Sequence, residues 1–461
     1  MPVIPNPEVN PLNVESAIPA RRVWSCLAVI VCVGMLVGQV MGQQPQPIAI
    51  VHVATVDVER GTIATDMTVV LEAGRIKEVF KAGSKRLPSR ARVVNARGKY
   101  LIPGLWDMHV HIQDMPEPAA ALYLAHGITG IRDMRMELDS LAAIRERIAR
   151  GTLLAPRLIA SGPALDDVPP QWPVPVKMRI KTGAQAREAV QLLKANRVDF
   201  IKVHNFTSRD AYLAIVDEAK RLQLPFVGHV PLEINIREAV AAGQRSIEHL
   251  SEFRVVEECA DDAKCQDLIR EFKRHDTWHT PTLVTLQVIA QGPGLDESRT
   301  RYIPAATKKF WNLTEAMLRG MSAEQKDLMS NRYKAALSLV AKLQRSGIGL
   351  LAGTDSPVMP GVVPGFSLHD ELRLMVEAGL TPLQALQSAT LNPARFLGQL
   401  NTLGTIEAGK LADLVVLDAS PLDDIRNVAR IDAVITQGKL LDRAALNSLM
   451  QEAARDGGPA N

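Results

Sequence analysis

Between Lys99 and Asp355 the chain carries eight short apolar runs, and a helix-patterned stretch separates each from the next. The runs are KYLIPGLWDMHVH, ITGIRDM, PRLIASG, DFIKVH, PFVGHV, RSIEHL, WHTPTLV and GIGLLAGTD. Continuous apolar strands of this kind belong to parallel sheets covered on both faces. The separators have helical signatures. Leu138, Leu141, Ile144 and Ile148 recur at helical spacing and Gly151 follows as a stop. Thr182 with Gln185 predicts a capping box ahead of Ala186, Ala189, Val190 and Leu193. Thr381, Pro382 and Gln384 predict another start, with proline at the first helical position. Eight strand–helix units in succession predict an α/β chain folded as a (β/α)8 TIM barrel. The stretch from Asp296 to Arg345 is longer than one helix needs and predicts a two-helix insertion after strand seven.

The flanks have a different texture. VHVATVDV, DMTVVLEAG, RIKEVFKAG and ARVVNARG are β-rich runs cut by glycine, and LADLVVLDAS with DAVITQGKL repeats the pattern near the other end. These runs predict a small β-sandwich domain built from both chain ends. The expected divisions are 1–42 (extension and signal), 43–103 (sandwich, first part), 104–398 (barrel) and 399–461 (sandwich, second part and tail).

Lys and Arg total 53 against 50 Asp and Glu, a formal net charge of +3 over 461 residues. A nucleic-acid binder needs a concentrated basic face, so that class is excluded. Arg21 and Arg22 precede an uncharged run from Val23 to Gly42, the order of a secretory signal. Cleavage near Gly42 would export the protein to the periplasm or outside the cell; uncleaved, residues 23–42 would be a membrane anchor. There is no second such run, which excludes a polytopic membrane protein. Cys26 and Cys32 lie in the signal, leaving Cys259 and Cys265 in the polar stretch EECADDAKCQ. In an oxidising compartment that pair is expected to close a small disulfide loop.

His109 and His111 end the first barrel run. Alternate strand side chains share a face, so a His-x-His pair aims both imidazoles the same way, as two metal ligands. Barrel active sites lie at strand C-terminal ends. Lys202, His229, His249 and Asp355 fall at matching ends of runs four, five, six and eight. A charged lysine inside an apolar strand is expensive; a neutral one reacts with carbon dioxide to a carbamate whose two oxygens would bridge two cations. Taken singly, Lys202 also reads as a snorkelling side chain, His229 and His249 as core histidines, and Asp355 as a helix cap. It is the conjunction of six ligand-type residues that points to a metal centre.

With those residues in hand, the chain resembles the amidohydrolase superfamily, in its imidazolonepropionase-like and Xaa-Pro dipeptidase-like (prolidase) branch. The resemblance spans residues 48–445. It rests on YLIPGLWDMHVH, on the ordered set Lys202, His229, His249 and Asp355, and on the tail ATLNPARFLGQLNTLGTIEAGKLADLVVLD. It implies a distorted (β/α)8 barrel and a metal-dependent hydrolase. His109, His111 and Asp355 would hold one divalent ion, His229 and His249 a second, and carboxylated Lys202 would bridge them. Zn²⁺ suits these donors best. A metal-bridging hydroxide would attack the substrate, with Asp355 as the catalytic proton acceptor. The bond at stake would be an amide in a small molecule such as a dipeptide or an N-acyl amino acid. A cyclic amide or lactone, or a catalytically silent binding protein on the same scaffold, stand as alternatives.

Mononuclear deaminases of this superfamily place a glutamate three residues after the strand-five histidine; here that position is Leu232, with Glu233 one further on. The dipeptidase-like branch commonly has tyrosine two residues after the bridging lysine, where substrate is held. This chain has His204, which becomes the substrate-binding candidate. Arg132 and Arg135 would either meet a substrate carboxylate or sit on the surface. His279 is a candidate pocket lining residue, and Trp172 a candidate for a loop over the site. His52, His126, His275 and His369 read as structural or exposed.

Overall fold

The computed structural model describes residues 46–113, 115–167 and 177–456. The predicted signal and Trp172 lie outside the described residues. The first flank folds as β1 (Ile48–Asp57), β2 (Thr62–Glu72), β3 (Arg75–Lys81), β4 (Arg92–Asn95) and β5 (Tyr100–Pro103). The middle of the chain contributes β6 (Leu105–Val110), β7 (Ile128–Asp133), β8 (Arg157–Ala160), β9 (Ala164–Asp166), β10 (Lys177–Arg179), β11 (Ile201–Val203), β12 (Phe226–Gly228), β13 (Ser246–Glu248) and β14 (Trp278–Thr280). Strands β15 (Leu414–Leu417), β16 (Ile431–Thr436) and β17 (Lys439–Leu441) follow.

The flanking strands form one eight-stranded sheet in the order β17-β16-β15-β5-β1-β2-β3, with β4 parallel beside β1. Its two halves meet where β5 runs antiparallel to β15, Tyr100 opposite Leu417 and Pro103 opposite Leu414. Ile50, Val69, Leu71, Ile76, Leu101, Leu414, Val416 and Ile435 pack as its core. Two-residue turns, Ala73-Gly74 and Gln437-Gly438, close the β2–β3 and β16–β17 hairpins. All four residues have φ between 49° and 74°. Such left-handed pairs match the twist of the flanking strands, and glycine takes the second position without a Cβ penalty.

The middle strands are parallel throughout: β6-β7-β8 in one sheet and β10-β9-β11-β12-β13-β14 in another. Asp199 N–H donates to Ala160 O (2.9 Å), tying the end of β8 to the approach to β11. The GIGLLAGTD run is less regular than expected. It makes single parallel bridges, Leu350 with His279 and Ser356 with Val110, plus a bond from Met108 N–H to Ala352 O (2.8 Å). Two further differences are instructive. KYLIPGLWDMHVH is two strands, because Gly104 hands the chain from the flanking sheet (β5) to the middle one (β6). The short strands β9 and β10 were not legible as separate elements.

Helices cover these strands for the reasons the pattern suggested. Gly183–Ala195 buries Ala186, Ala189, Val190 and Leu193. Its cap is only half the predicted box: Thr182 Oγ1 accepts from Gln185 N–H, but the Gln185 side chain turns to Lys181 N–H. Pro382–Ser388 has the full box from Thr381 and Gln384. The insertion holds two long helices, Ala305–Arg319 and Ala323–Arg345, preceded by one short turn, Glu297–Thr300. Cys259 and Cys265 are joined by a disulfide.

The tail motif works as a clamp. Asn392 Nδ2 donates to Leu350 O (2.9 Å), holding the segment that leads to Asp355. Asp413 pairs with Arg157 and accepts Gly104 N–H at its carbonyl (2.7 Å). Gly404, at φ 89°, lies against Ala394, whose Cβ would be 2.7 Å from a Cβ at position 404. Gly409 has φ 90° and nothing within 4 Å of such an atom. Gly409→Ala is therefore expected to lose about 1 kcal/mol, from backbone strain alone. Gly404→Ala should lose about 2–4 kcal/mol, because a packing clash is added. Urea denaturation of the two variants, side by side, checks the difference.

Candidate active site

The six predicted ligands arrive at one cavity of about 240 Å³, lined by His109, His111, Lys202, His229, His249 and Asp355 together. All but His111 are buried, Lys202 to 2% exposure. His109 and His249 rings are 4.5 Å apart between centroids, and His229 and His249 5.0 Å. His109, His111 and Asp355 form the tightest group: one ligand atom from each lies within 4.8 Å of the others. Asp355 Oδ1 is 2.9 Å from His111 Nε2 and 3.4 Å from His109 Nε2. Donors around a tetrahedral ion at about 2.05 Å stand roughly 3.3 Å apart, so this spacing fits a divalent cation. His229, His249 and Lys202 share the cavity without joining a cluster of that tightness.

The tautomers fit as well. His109 Nδ1 donates to Glu248 Oε2 (2.8 Å). His249 Nδ1 meets Thr282 Oγ1 (2.7 Å), whose own proton goes to Pro281 O (2.8 Å), so the imidazole donates. His229 Nδ1 meets Asn205 Oδ1 (2.8 Å), while the amide nitrogen of Asn205 donates to Glu252 (2.7 Å). A histidine whose Nδ1 proton is committed outward presents the Nε2 lone pair inward, the arrangement found at metal sites. His109 Nε2 and Lys202 Nζ are both buried without a hydrogen-bond partner. Buried polar atoms left this way are rare and call for a ligand.

Charge follows burial. Burial pushes the Lys202 ammonium down to about 8, against the pull of Glu248 and Asp355. Burial likewise drives His111 and His249 well below the ordinary imidazole value, and His229 to about 3. These histidines are neutral near pH 7, as ligands must be. Burial alone would raise the Asp355 carboxyl, but the imidazoles of His249, His109 and His111 outweigh it and hold it well below the carboxylate range.

Beneath the cavity lies a layer that the sequence reading missed. Glu248, fully buried, takes both Arg132 (3.0 and 3.1 Å) and the Ser246 hydroxyl (2.5 Å) besides His109. Arg132 also reaches Met108 O (2.6 Å) and Thr280 Oγ1 (3.1 Å). Arg132 is thus neither a surface arginine nor a substrate contact, whereas Arg135 does line the cavity. A hint was present: two opposite charges inside apolar strands must find each other. Asp107, two residues before His109, accepts from Thr354 N–H (3.0 Å) and its hydroxyl (2.7 Å), which sets the approach to Asp355. His279 is not a cavity residue; it packs edge-on against Phe272 at 4.5 Å. Glu233 is turned away and accepts Arg209 N–H (2.8 Å), and Leu232 is 57% exposed, so neither supplies a deaminase-type glutamate.

His249 opens a run of five residues, to Phe253, with φ between 49° and 73°. Left-handed geometry costs about 1–2 kcal/mol for each residue with a Cβ. The run persists because it is pinned on several sides. Ser251 Oγ accepts Val230 N–H (3.1 Å), and Arg254 donates to Val230 O, Pro231 O and Ile234 O (2.7–3.0 Å). In return it turns His249, Glu252 and Phe253 into the cavity.

The sequence profile of the amidohydrolase family matches residues 100–441, which contain the whole cavity lining. The chain belongs to the amidohydrolase family. It is similar to ochratoxinase from Aspergillus niger, 24% identical over 71% of this chain and 72% of the relative. It is also similar to imidazolonepropionase from Pseudomonas entomophila, 24% identical over 79% and 90%. Among solved structures, a prolidase-like protein from Bifidobacterium longum aligns with 89% of this chain and 99% of its own, at 27% identity and a TM-score of 0.71. The protein is accordingly a hydrolase of the amidohydrolase type, with a mixed α/β fold and a candidate metal site at His109, His111 and Asp355.

The buried ion pair yields a test. Arg132→Met leaves Glu248 buried without its counter-charge and is expected to destabilise the protein by about 3–5 kcal/mol. Removing both charges, Arg132→Met with Glu248→Met, should lose less than that single change. Equilibrium urea denaturation of both variants measures the gap.

Proposed function

We propose that this amidohydrolase is an exported two-metal enzyme that cleaves an amide bond in a small substrate, a dipeptide or an N-acyl amino acid. The observation that carries the reading is the coincidence, in one buried cavity, of inward-turned Nε2 atoms on His109, His229 and His249 with a partnerless Lys202. His109, His111 and Asp355 would hold one divalent ion and His229 and His249 a second, and Lys202, as the carbamate its neutral amine forms with carbon dioxide on releasing a proton, would be a ligand to both. Zinc suits the imidazole and carboxylate donors. When bound, such ions supply Lewis acidity to the substrate carbonyl and make water nucleophilic near neutral pH.

The chain's own groups do the rest. Glu248 and Thr282 keep His109 and His249 in the ligating tautomer. Ionised Asp355 takes the proton that water loses as it attacks the amide carbon. It returns that proton to the amide nitrogen as the C–N bond breaks, giving acid and amine. His204 contacts the substrate. The middle strands, linked in ring order by the bonds at Ala160, His279 and Met108, act as the staves of a (β/α)8 barrel, and the two-ended sheet is a small β domain beside it. Export is supported by the Arg21-Arg22 start, the uncharged run that follows and the Cys259–Cys265 bond. Among the described residues no helix is long and apolar enough to cross a membrane.

Metal analysis of the purified protein should find about two ions per chain. Lys202→Ala should lose metal and at least about a hundredfold in turnover of a dipeptide and N-acyl-amino-acid library, with partial recovery on adding bicarbonate and a short carboxylic acid. Unchanged turnover in that variant would rule out the bridge, and a wild-type protein without metal or turnover would favour a silent binding protein.

A further inference from the structure

The insertion between residues 297 and 345 takes no part in the chemistry above, yet it reaches the cavity walls. Trp311, on the helix Ala305–Arg319, is 4% exposed. Its indole Nε1–H donates to Pro357 O (2.7 Å). Pro357 stands two residues past Asp355, and the next two residues, Val358 and Met359, line the cavity. Val358 N–H bonds back to Asp355 O (2.9 Å) and Val362 N–H to Met359 O (3.0 Å), so the indole holds a compact run of chain. The second helix, Ala323–Arg345, packs on the helix Leu283–Gln291. That helix brings Leu286 and Ile289, three residues apart and so on one face, to the cavity. Its first turn is fixed by Glu371, which accepts Leu283 N–H (2.9 Å) and Val284 N–H (2.8 Å). The start of the insertion is fastened too: Arg299 pairs with Asp370 (2.5 Å), and the Tyr302 ring stacks on Phe366 at 5.7 Å.

Ordered by the strands they follow, five apolar lining residues form one sector. Phe253 follows β13, Leu286 and Ile289 follow β14, and Val358 and Met359 follow the GIGLLAGTD run. β13 pairs with β14, and β14 meets that run where His279 bridges to Leu350. Arg135 and His204 enter from β7 and β11, outside the sector. Thr285, a polar residue within it, donates its hydroxyl to Thr354 O (2.8 Å). The carboxylate of Glu252, beside Phe253, is engaged by Asn205 (2.7 Å) and His229 (3.4 Å). A wall whose polar groups are already engaged favours an apolar group and makes a polar one give up its water without return. The cavity, about 240 Å³, is smaller than the roughly 300–1,000 Å³ of sites for drug-sized ligands, which suits one side chain beside the scissile group and no extended tail.

We propose that this sector is a specificity wall: Phe253, Leu286, Ile289, Val358 and Met359 receive an apolar side chain borne next to the scissile carbonyl, and Trp311 is the positioning residue that holds Val358 and Met359 in place. This rests on the amide-hydrolase reading and names the acyl part of its substrate, an aliphatic residue of about leucine size. The carbonyl side follows from chain position. Phe253 lies four residues past His249 and Val358 three past Asp355, so the wall adjoins the ligands at which a carbonyl would be polarised. The insertion thereby acts on selectivity without touching the reacting atoms.

Amino-acid hydroxamates chelate zinc through two oxygens and so place their side chain beside a metal-bound carbonyl. The hydroxamates of L-leucine and L-asparagine carry side chains of nearly equal size, one apolar and one polar, and that of L-alanine is the short reference. Calorimetry on the zinc-loaded protein should find the leucine probe bound about tenfold or more tightly than either of the others. Ile289→Ala, and Trp311→Phe, which lacks the indole N–H, should each cut the leucine-to-alanine ratio about threefold or more. Leu313, 68% exposed on the same helix as Trp311, is the control, and Leu313→Ala should leave the ratio unchanged. A general loss of stability lowers the folded fraction without changing a ratio of affinities, so the ratio separates positioning from mere support. Equal binding of the leucine and alanine probes, a preference for the asparagine probe, or no binding of any of the three overturns the wall. A ratio unchanged in Trp311→Phe overturns the role of Trp311. The leucine preference in a protein that cleaves no amide refutes the hydrolase reading alone, and amide cleavage without that preference refutes only this inference.

Discussion

Arg132 and Glu248 face each other from β7 and β13, out of reach of water, and between them they touch four strands. Arg132 holds Met108 O on β6 and Thr280 on β14; Glu248 holds Ser246 on its own strand and His109 on β6. Moving two ions out of water costs several kcal/mol each, so such a pair is weak evidence for stability. Its value here is positional. It sets the height of β6 against β13, and with it the distance between His109 and His249. Apolar residues of similar volume would fill the space without aiming an imidazole.

The same logic recurs around the cavity. Thr282 and Asn205 take the Nδ1 side of His249 and His229, as Glu248 does for His109, and so leave the other nitrogen's lone pair to the cavity. That choice is written in side chains that do not line the cavity. Family likeness and spacing do not carry this information, because all three residues are simply histidine in the sequence.

That contrast explains what was legible. Apolar runs and helical spacing identified the middle strands, since both signals come from burial and burial dominates there. The His109-x-His111 pair followed from strand alternation and the other four candidates from their places at strand ends, and the structure brings all six to one cavity. The supporting layer was opaque for local reasons. Glu248 is hidden beside His249, on a three-residue strand too short to show a period. The left-handed run from His249 to Phe253 contains no glycine or asparagine, so nothing in its composition announces it. It is pinned by contacts that exist only in the folded chain, from Arg254 to Val230, Pro231 and Ile234 and from Val230 N–H to Ser251. The half-formed cap at Thr182 shows the converse: the motif was right, but the Gln185 amide found a closer donor in Lys181.

The junction of β5 with β15 sets the order of assembly. Tyr100 is among the earlier residues to leave the ribosome, and Leu417 among the later, yet they lie side by side in one ladder. Closing so long a loop is slow, and contacts of this separation form late. Until β15 arrives, the free edge of β5 has no mate and the flanking sheet cannot be completed. The growing chain is thereby kept from maturing before its last strands have been made.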